Sequence, residues 1–203
     1  MFYLLLLVIC SYLLGSIPSA YIAGKIKKGF DIRKQGSGNV GATNTLVTVG
    51  AFAAIIVYAF DLLKGLLPVL VAKRYFGTEI AMGLAGLAAV VGHDFPVFLS
   101  FKGGKGVATT TGAVFGINAR IMWILIAAWI IFVFTTDYFI ISSLLCLLFL
   151  PVLMYMFGLS MTYVVFGILY LLLGVFTHWQ DIVKIRAGQG PRALASIRKF
   201  LKK

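Results

Sequence analysis

Acidic side chains are few in this chain. Six aspartates and glutamates stand against 18 lysines and arginines, a formal net charge of +12. No array of carboxylates lies inside an apolar segment, which argues against a proton or cation path through a membrane. Cysteine is scarcer still. Cys10 and Cys146 both fall within apolar runs, with no partner at ligand spacing and no histidine nearby in sequence, so neither a disulfide framework nor a metal site finds support. Charged residues of either sign make up 12% of the chain and hydrophobic ones 61%, with a mean hydropathy of +1.02. That composition excludes an ordinary soluble domain and implies an integral membrane protein. The basic surplus gathers between apolar runs, as the positive-inside rule requires, and gives no reason to expect a nucleic-acid partner.

The apolar runs set the architecture. Residues 2 to 24 are long enough to cross a bilayer, and their basic flank (Lys25, Lys27, Lys28, Arg33, Lys34) follows the run. A cleaved signal peptide carries its charge first, so the run reads as a retained helix with its N-terminus outside. Residues 51 to 72, 79 to 98, 138 to 157 and 160 to 177 read as further spans. The stretch from Val107 to Thr136 is too long for one span unless steeply tilted, and a turn at Ile117-Asn118-Ala119-Arg120 divides it. With that turn the expectation is an all-α bundle of about seven transmembrane helices in a single domain, 1–203, with the C-terminus cytoplasmic. This arrangement puts 14 basic residues inside and 3 outside, with Lys64 buried. Residues 107 to 117 are short for a full crossing, and are expected to be a thin span or a re-entrant segment.

Polar residues inside these runs need partners. Asp61 and Lys64 would each cost roughly 2.5 to 3.5 kcal/mol facing lipid at mid-membrane. Three residues apart on a helix, they form a structural ion pair or line a pocket. Ser142 and Ser143 bond their own helix or a neighbour, or reach a substrate. Gly112 and Gly116 have the small-residue spacing of close helix packing.

Between the spans lie the segments that carry chemistry. Gly92-His93-Asp94-Phe95-Pro96 leads into Phe101-Lys102-Gly103-Gly104-Lys105-Gly106-Val107-Ala108. Its glycines and lysines suit a tight backbone turn around an anion, a phosphate above all. It is no Walker A loop, because Gly106 stands where Ser or Thr would hold magnesium. The alternative is a plain glycine turn whose lysines obey the charge rule. The 25–50 segment, rich in hydroxyls, amides and glycines, the 99–106 loop and the 178–203 tail are all expected on the cytoplasmic face, where they can build one site. It would draw on Ser37, Asn39, Thr43 and Asn44, then His93, Lys102 and Lys105, then His178, Asp181 and Lys184. The tail from Arg192 to Lys203 suits anionic lipid headgroups. A transporter of a phosphorylated solute and a noncatalytic lipid-binding protein are the competing classes.

Gly36-Ser37-Gly38-Asn39-Val40-Gly41-Ala42-Thr43-Asn44, the Gly92 to Ala108 segment, and His178 with Ile182 and Gly188 resemble the three motifs of the bacterial acyl-phosphate-dependent glycerol-3-phosphate acyltransferases, the PlsY family. The resemblance covers nearly the whole chain, including Asp61 with Lys64-Gly65 and the serine pair. It implies a seven-helix enzyme of the bacterial inner membrane that moves a fatty acyl group from acyl phosphate to the 1-hydroxyl of glycerol 3-phosphate, giving lysophosphatidic acid. It further implies no cofactor, no metal and no obligate protein partner, with the two substrates and membrane lipid as its ligands. On this basis Ser37, Lys105 and His178 are expected to be catalytic. Gly38, Asn39, Thr43, Asn44, His93, Lys102, Gly103, Gly104, Gly106, Ser143, Asp181 and Lys184 are expected to bind substrate, with His93 an alternative to His178 as base. The chain departs from the family's usual arginine, asparagine, arginine and glutamate at Val47, Asp181, Lys184 and Gly190, which leaves a paralogue with altered or lost activity as a further alternative.

Overall fold

The computed structural model describes residues 1–195, and among them every regular element is a helix. Met1–Asn118 and Ala119–Lys203 form two compact units. In the first, α1 (Phe2–Gly15) and α2 (Ser19–Lys28) share one apolar stretch but are separate helices. Pro18 breaks them, since it offers no N–H and cannot continue the ladder. A 3₁₀ turn at Ile32–Lys34 and the short α3 (Ala42–Thr48) follow, then α4 (Ala51–Tyr75). Next come α5 (Glu79–Asp94), whose first turn is capped by Thr78 accepting the Ala81 N–H at 3.3 Å, a 3₁₀ turn at Val97–Leu99, and α6 (Val107–Ile117). The second unit holds α7 (Ala119–Thr136), α8 (Phe139–Met156), α9 (Met161–Thr177) and α10 (Trp179–Arg186).

The segment expected as a loop from residue 25 is more ordered than that. Helix α2 continues to Lys28, so Lys25, Lys27 and Lys28 occupy its last turn, and it ends at Gly29 with φ of 71°. Lysine is a good helix former, and cations complement a helix C-terminus, so loss of apolarity did not mean loss of helix. The tail likewise begins as helix α10. The basic residues Arg198, Lys199, Lys202 and Lys203 lie outside the described residues.

Among the described residues five stretches are long and apolar enough to cross a membrane, or six if α9 and α10, bent by 57° where they meet, count as one span. Helix α6 has 11 residues, a rise of about 16 Å against a hydrocarbon core of about 30 Å. It stops where the sequence predicts: Asn118 is extended and ends it.

Backbones in the first unit pack closely through glycine. A Cβ on Gly65 of α4 would strike the Thr109 carbonyl oxygen of α6, and one on Gly112 of α6 would strike the Leu62 carbonyl oxygen. Gly15 of α1 meets Ala89 of α5 in the same way, and Gly92 meets Tyr12. Without a hydrophobic drive between helices in lipid, such contacts are what hold the bundle. The packing role predicted for Gly112 is thus observed, and Gly116 lies against Val69.

Candidate functional site

The first polar segment is tied together by one amide. Asn44, on α3 and only 3% exposed, donates through Nδ2 to the carbonyl oxygens of Ile32, Gln35 and Asn39 at 3.3, 3.0 and 3.0 Å. Its Oδ1 accepts the Ser37 N–H at 3.1 Å. Expected as a substrate contact, Asn44 spends its hydrogen-bonding capacity on the loop itself, which makes it a scaffold. The loop it shapes turns at Gly36 and Gly38, with φ of 57° and 76°. It leaves Ser37 and Thr43 exposed and Asn39 half-buried.

The second segment packs against the first. Ile32 and Val40 from the first share an apolar cluster with Leu99 from the second, Ala20 of α2 and Val57 of α4. The backbone of Gly104 lies so close to the Val40 carbonyl oxygen that a Cβ would be only 2.7 Å from it. Arg33 adds a polar clasp that the sequence reading missed. Its guanidinium grips Asp31, with Nη2 at 2.7 Å from Oδ2 and Nε at 3.1 Å from Oδ1, while Nη1 donates to the Leu99 carbonyl oxygen at 3.3 Å. The Arg33 hydrogen bond holds the Asp31 carboxyl down at about 2. An Asp-x-Arg spacing, with Asp31 capping the 3₁₀ turn that contains Arg33, was the signal available.

Within the second segment two expected phosphate-holding amides are already engaged. The Gly103 N–H donates to the Asp94 carbonyl oxygen at 3.1 Å and the Gly104 N–H to that of His93 at 3.0 Å, which satisfies carbonyls at the end of α5. Each amide has one proton, so the cradle narrows to Lys105, Gly106 and the first turn of α6. Gly106, with φ of 67°, is the N-cap that permits this abrupt start. Helix N-termini attract anions. Lys105 is half-buried beside it and Lys102 is exposed.

His93 is 8% exposed and lies beneath the loop. Its Nε2 sits where a Gly104 Cβ would collide with it. Its Nδ1 is 3.6 Å from Asp61 Oδ1. Asp61 and Lys64 form the anticipated ion pair at 2.7 Å.

In the second unit, His178 is the hinge residue between α9 and α10 and is 2% exposed. Nδ1 lies 2.8 Å from the Gly174 carbonyl oxygen. A carbonyl can only accept, so Nδ1 carries a proton. Asp181, half-buried, and Lys184, exposed, follow on α10. Ser143 donates to the Phe139 carbonyl oxygen at 2.9 Å and accepts the Trp129 indole N–H at 3.0 Å. Its proton is committed to its own helix, so as a substrate donor it must first rotate. Asp137, with φ of 59°, anchors the start of the tail: its carboxylate accepts the Leu194 N–H at 2.7 Å and its carbonyl oxygen the Ala193 N–H at 2.8 Å.

The chain is 36% identical over 184 residues to the glycerol-3-phosphate acyltransferase of Alkaliphilus metalliredigens, covering 91% of this chain and 93% of the relative. It is 34% identical to the integral membrane glycerol 3-phosphate acyltransferase PlsY in the crystal structure of its glycerol 3-phosphate form, with a TM-score of 0.89, covering 94% of this chain and 95% of that one. Against the lysophosphatidic acid form the identity is 32% and the TM-score 0.88, covering 96% and 98%. Residues 5–188 match the family model described as Glycerol-3-phosphate acyltransferase, and the chain belongs to that family.

Proposed function

We propose that this protein is an acyltransferase that moves a fatty acyl group from acyl phosphate to the 1-hydroxyl of sn-glycerol 3-phosphate, releasing lysophosphatidic acid and inorganic phosphate. The observation that carries the reading is the packing of the Ser37 loop against the Lys102–Gly106 loop, with Gly104 set on the Val40 carbonyl. Two segments far apart in sequence, each rich in groups suited to phosphate, thus lie beside one another. A reaction between two phosphorylated substrates needs such proximity.

The chemistry asks little more of the protein than positioning. The acceptor hydroxyl oxygen attacks the acyl carbon, and the bond from that carbon to the phosphate oxygen breaks. Phosphate is a good leaving group, so no acyl-enzyme is required. Lys105, with Gly106 and the first turn of α6, holds the donor phosphate, and Lys102 draws anions to the loop. Ser37, Gly38, Asn39 and Thr43 orient glycerol 3-phosphate, with Asn44 holding their backbone. The proton passes to the departing phosphate or to His178, and Asp181, Lys184 and Ser143 are the further groups assigned to the acceptor. The reading calls for the 25–50 and 99–106 segments and the segment from residue 178 to face the cytoplasm, in a chain that crosses the bacterial inner membrane seven times. The acyl chain approaches between helices, which accounts for an enzyme with a soluble acceptor being embedded in lipid. The enzyme needs neither cofactor nor metal, nor an obligate protein partner.

The test is purified protein in detergent given acyl phosphate and labelled glycerol 3-phosphate. Labelled lysophosphatidic acid is expected, and Lys105→Ala is expected to abolish it. Full transfer by Lys105→Ala would remove the cradle assignment, and no transfer by the parent would remove the activity.

A further inference from the structure

Asp61 and Lys64 are nearly sealed, at 1% and 3% exposure, and their partners arrive from other helices. Ser19, at the start of α2, donates to Asp61 Oδ1 at 2.5 Å, and Lys64 Nζ is 2.7 Å from the same oxygen. The Lys64 ammonium also donates to the Ile17 carbonyl oxygen, which lies in the break between α1 and α2. His93 Nδ1 approaches that same Asp61 oxygen to 3.6 Å. Buried charge is costly unless it is paired, and removing one partner exposes that cost. The cavity beside the cluster, lined by Ser16, Ser19, Lys64, His93 and Pro96 among others, is about 10 Å³. That is room for one water and none for a phosphate. The cluster is therefore not a substrate pocket.

What it does touch is the underside of the glycine loop. The imidazole of His93 has one edge toward Asp61 and the other against Gly104, while the His93 carbonyl accepts the Gly104 N–H. We infer that Asp61 is a positioning residue, which acts through His93 to set the height of the Gly103–Gly104 hairpin and thereby the placement of Lys105 and the first turn of α6. His93 is then a strut under the loop, neither a base nor a substrate contact. The inference rests on the acyl-transfer reading for its kinetic consequence and on geometry alone for its structural one.

The experiment is a double-mutant cycle with Asp61→Asn, His93→Gln and the pair together, each purified in detergent. Loss of a residue that orients a functional group costs on the order of 10-fold or more in kcat/KM. Each single variant is expected to lose about that much, and the pair no more than the worse single, because both changes break one strut. Multiplicative losses, or kinetics of Asp61→Asn equal to the parent's, would overturn the inference. Hydrogen exchange over residues 101–108 reads the same device without activity: Asp61→Asn is expected to speed exchange of the Gly103 and Gly104 amides roughly tenfold, and unchanged exchange overturns it. Should Asp61→Asn fail to fold, Ser19→Ala takes its place, with a loss of about threefold that vanishes in the His93→Gln background. A Ser19→Ala loss that persists there overturns the inference. If the parent transfers no acyl group but Asp61→Asn still loosens the hairpin, the proposed activity fails and the strut stands.

Discussion

Asn44 Oδ1 accepts the backbone N–H of Ser37 at 3.1 Å. Seven residues apart, the two divide the work of the first loop: one presents a hydroxyl to solvent, the other fixes the backbone beneath it. Deleting each should therefore fail differently. Asn44→Ala strands the Ser37 N–H and removes a donor from three carbonyls, at a cost of about 1 to 3 kcal/mol. Thermal melting in detergent is expected to fall by several degrees, with acyl transfer falling alongside. Ser37→Ala is expected to melt as the parent does and to lose transfer. Equal melting of all three proteins would return Asn44 to the list of direct substrate contacts.

Gly104→Ala tests the seam between the two loops. The added methyl meets the His93 ring on one side and the Val40 carbonyl oxygen on the other, and neither can give way without moving its own segment. Overpacking of this kind costs about 1 to 3 kcal/mol. The expected result is a raised KM for acyl phosphate together with lowered melting. Gly29→Ala is the control. It has φ of 71° and nothing within 4 Å, so it carries backbone strain of about 1 to 2 kcal/mol without a clash and is expected to lower melting without changing KM.

How far the sequence reaches differs between these residues for a physical reason. Hydropathy sums over about twenty residues, so the long spans are visible to it, while the stop at Asn118 was legible only through the balance of basic residues. The break at Pro18 is not, because it lies inside an apolar run and alters backbone bonding without altering polarity. Glycine identity marked Gly103 and Gly104 as special, yet an N–H that serves a neighbouring helix end and one that awaits a phosphate are the same letter. Asp61 and Lys64 were legible as a pair by their spacing of three. Their link to His93 was not, since contacts between helices leave no periodicity in the chain.

The Asp31–Arg33 clasp gives an acid-limb prediction. In the folded protein the Asp31 carboxyl sits at about 2, lowered from 3.8 chiefly by its hydrogen bond to Arg33. A lowered carboxylate stabilises the fold above the unfolded value and loses that contribution as pH falls toward the folded one. The contribution is therefore complete above about pH 4 and fades between 4 and 2. The pair is partly solvated, with Arg33 32% exposed, so screening limits it to about 1 kcal/mol or less. Melting curves of the parent and Asp31→Asn are expected to differ at pH 6 and to converge on approach to pH 2. A constant difference across that window would place the stabilisation elsewhere.

Val47 offers a gain-of-function test. It lies on α3, three residues beyond Asn44, and is 64% exposed, where similar acyltransferases usually carry arginine. Exposure means that an arginine there meets no packing obstacle, and its planar fork pairs with phosphate as a point charge cannot. A charge-assisted hydrogen bond to substrate is worth about 1.5 kcal/mol or more, so Val47→Arg is expected to lower KM for glycerol 3-phosphate by roughly tenfold while melting stays unchanged. Desolvation of the existing groups is untouched by a solvent-facing change, so kcat is expected to move little. A KM that does not respond would mean that the exposed face of α3 points away from the acceptor, and Thr43 would lose its proposed role with it.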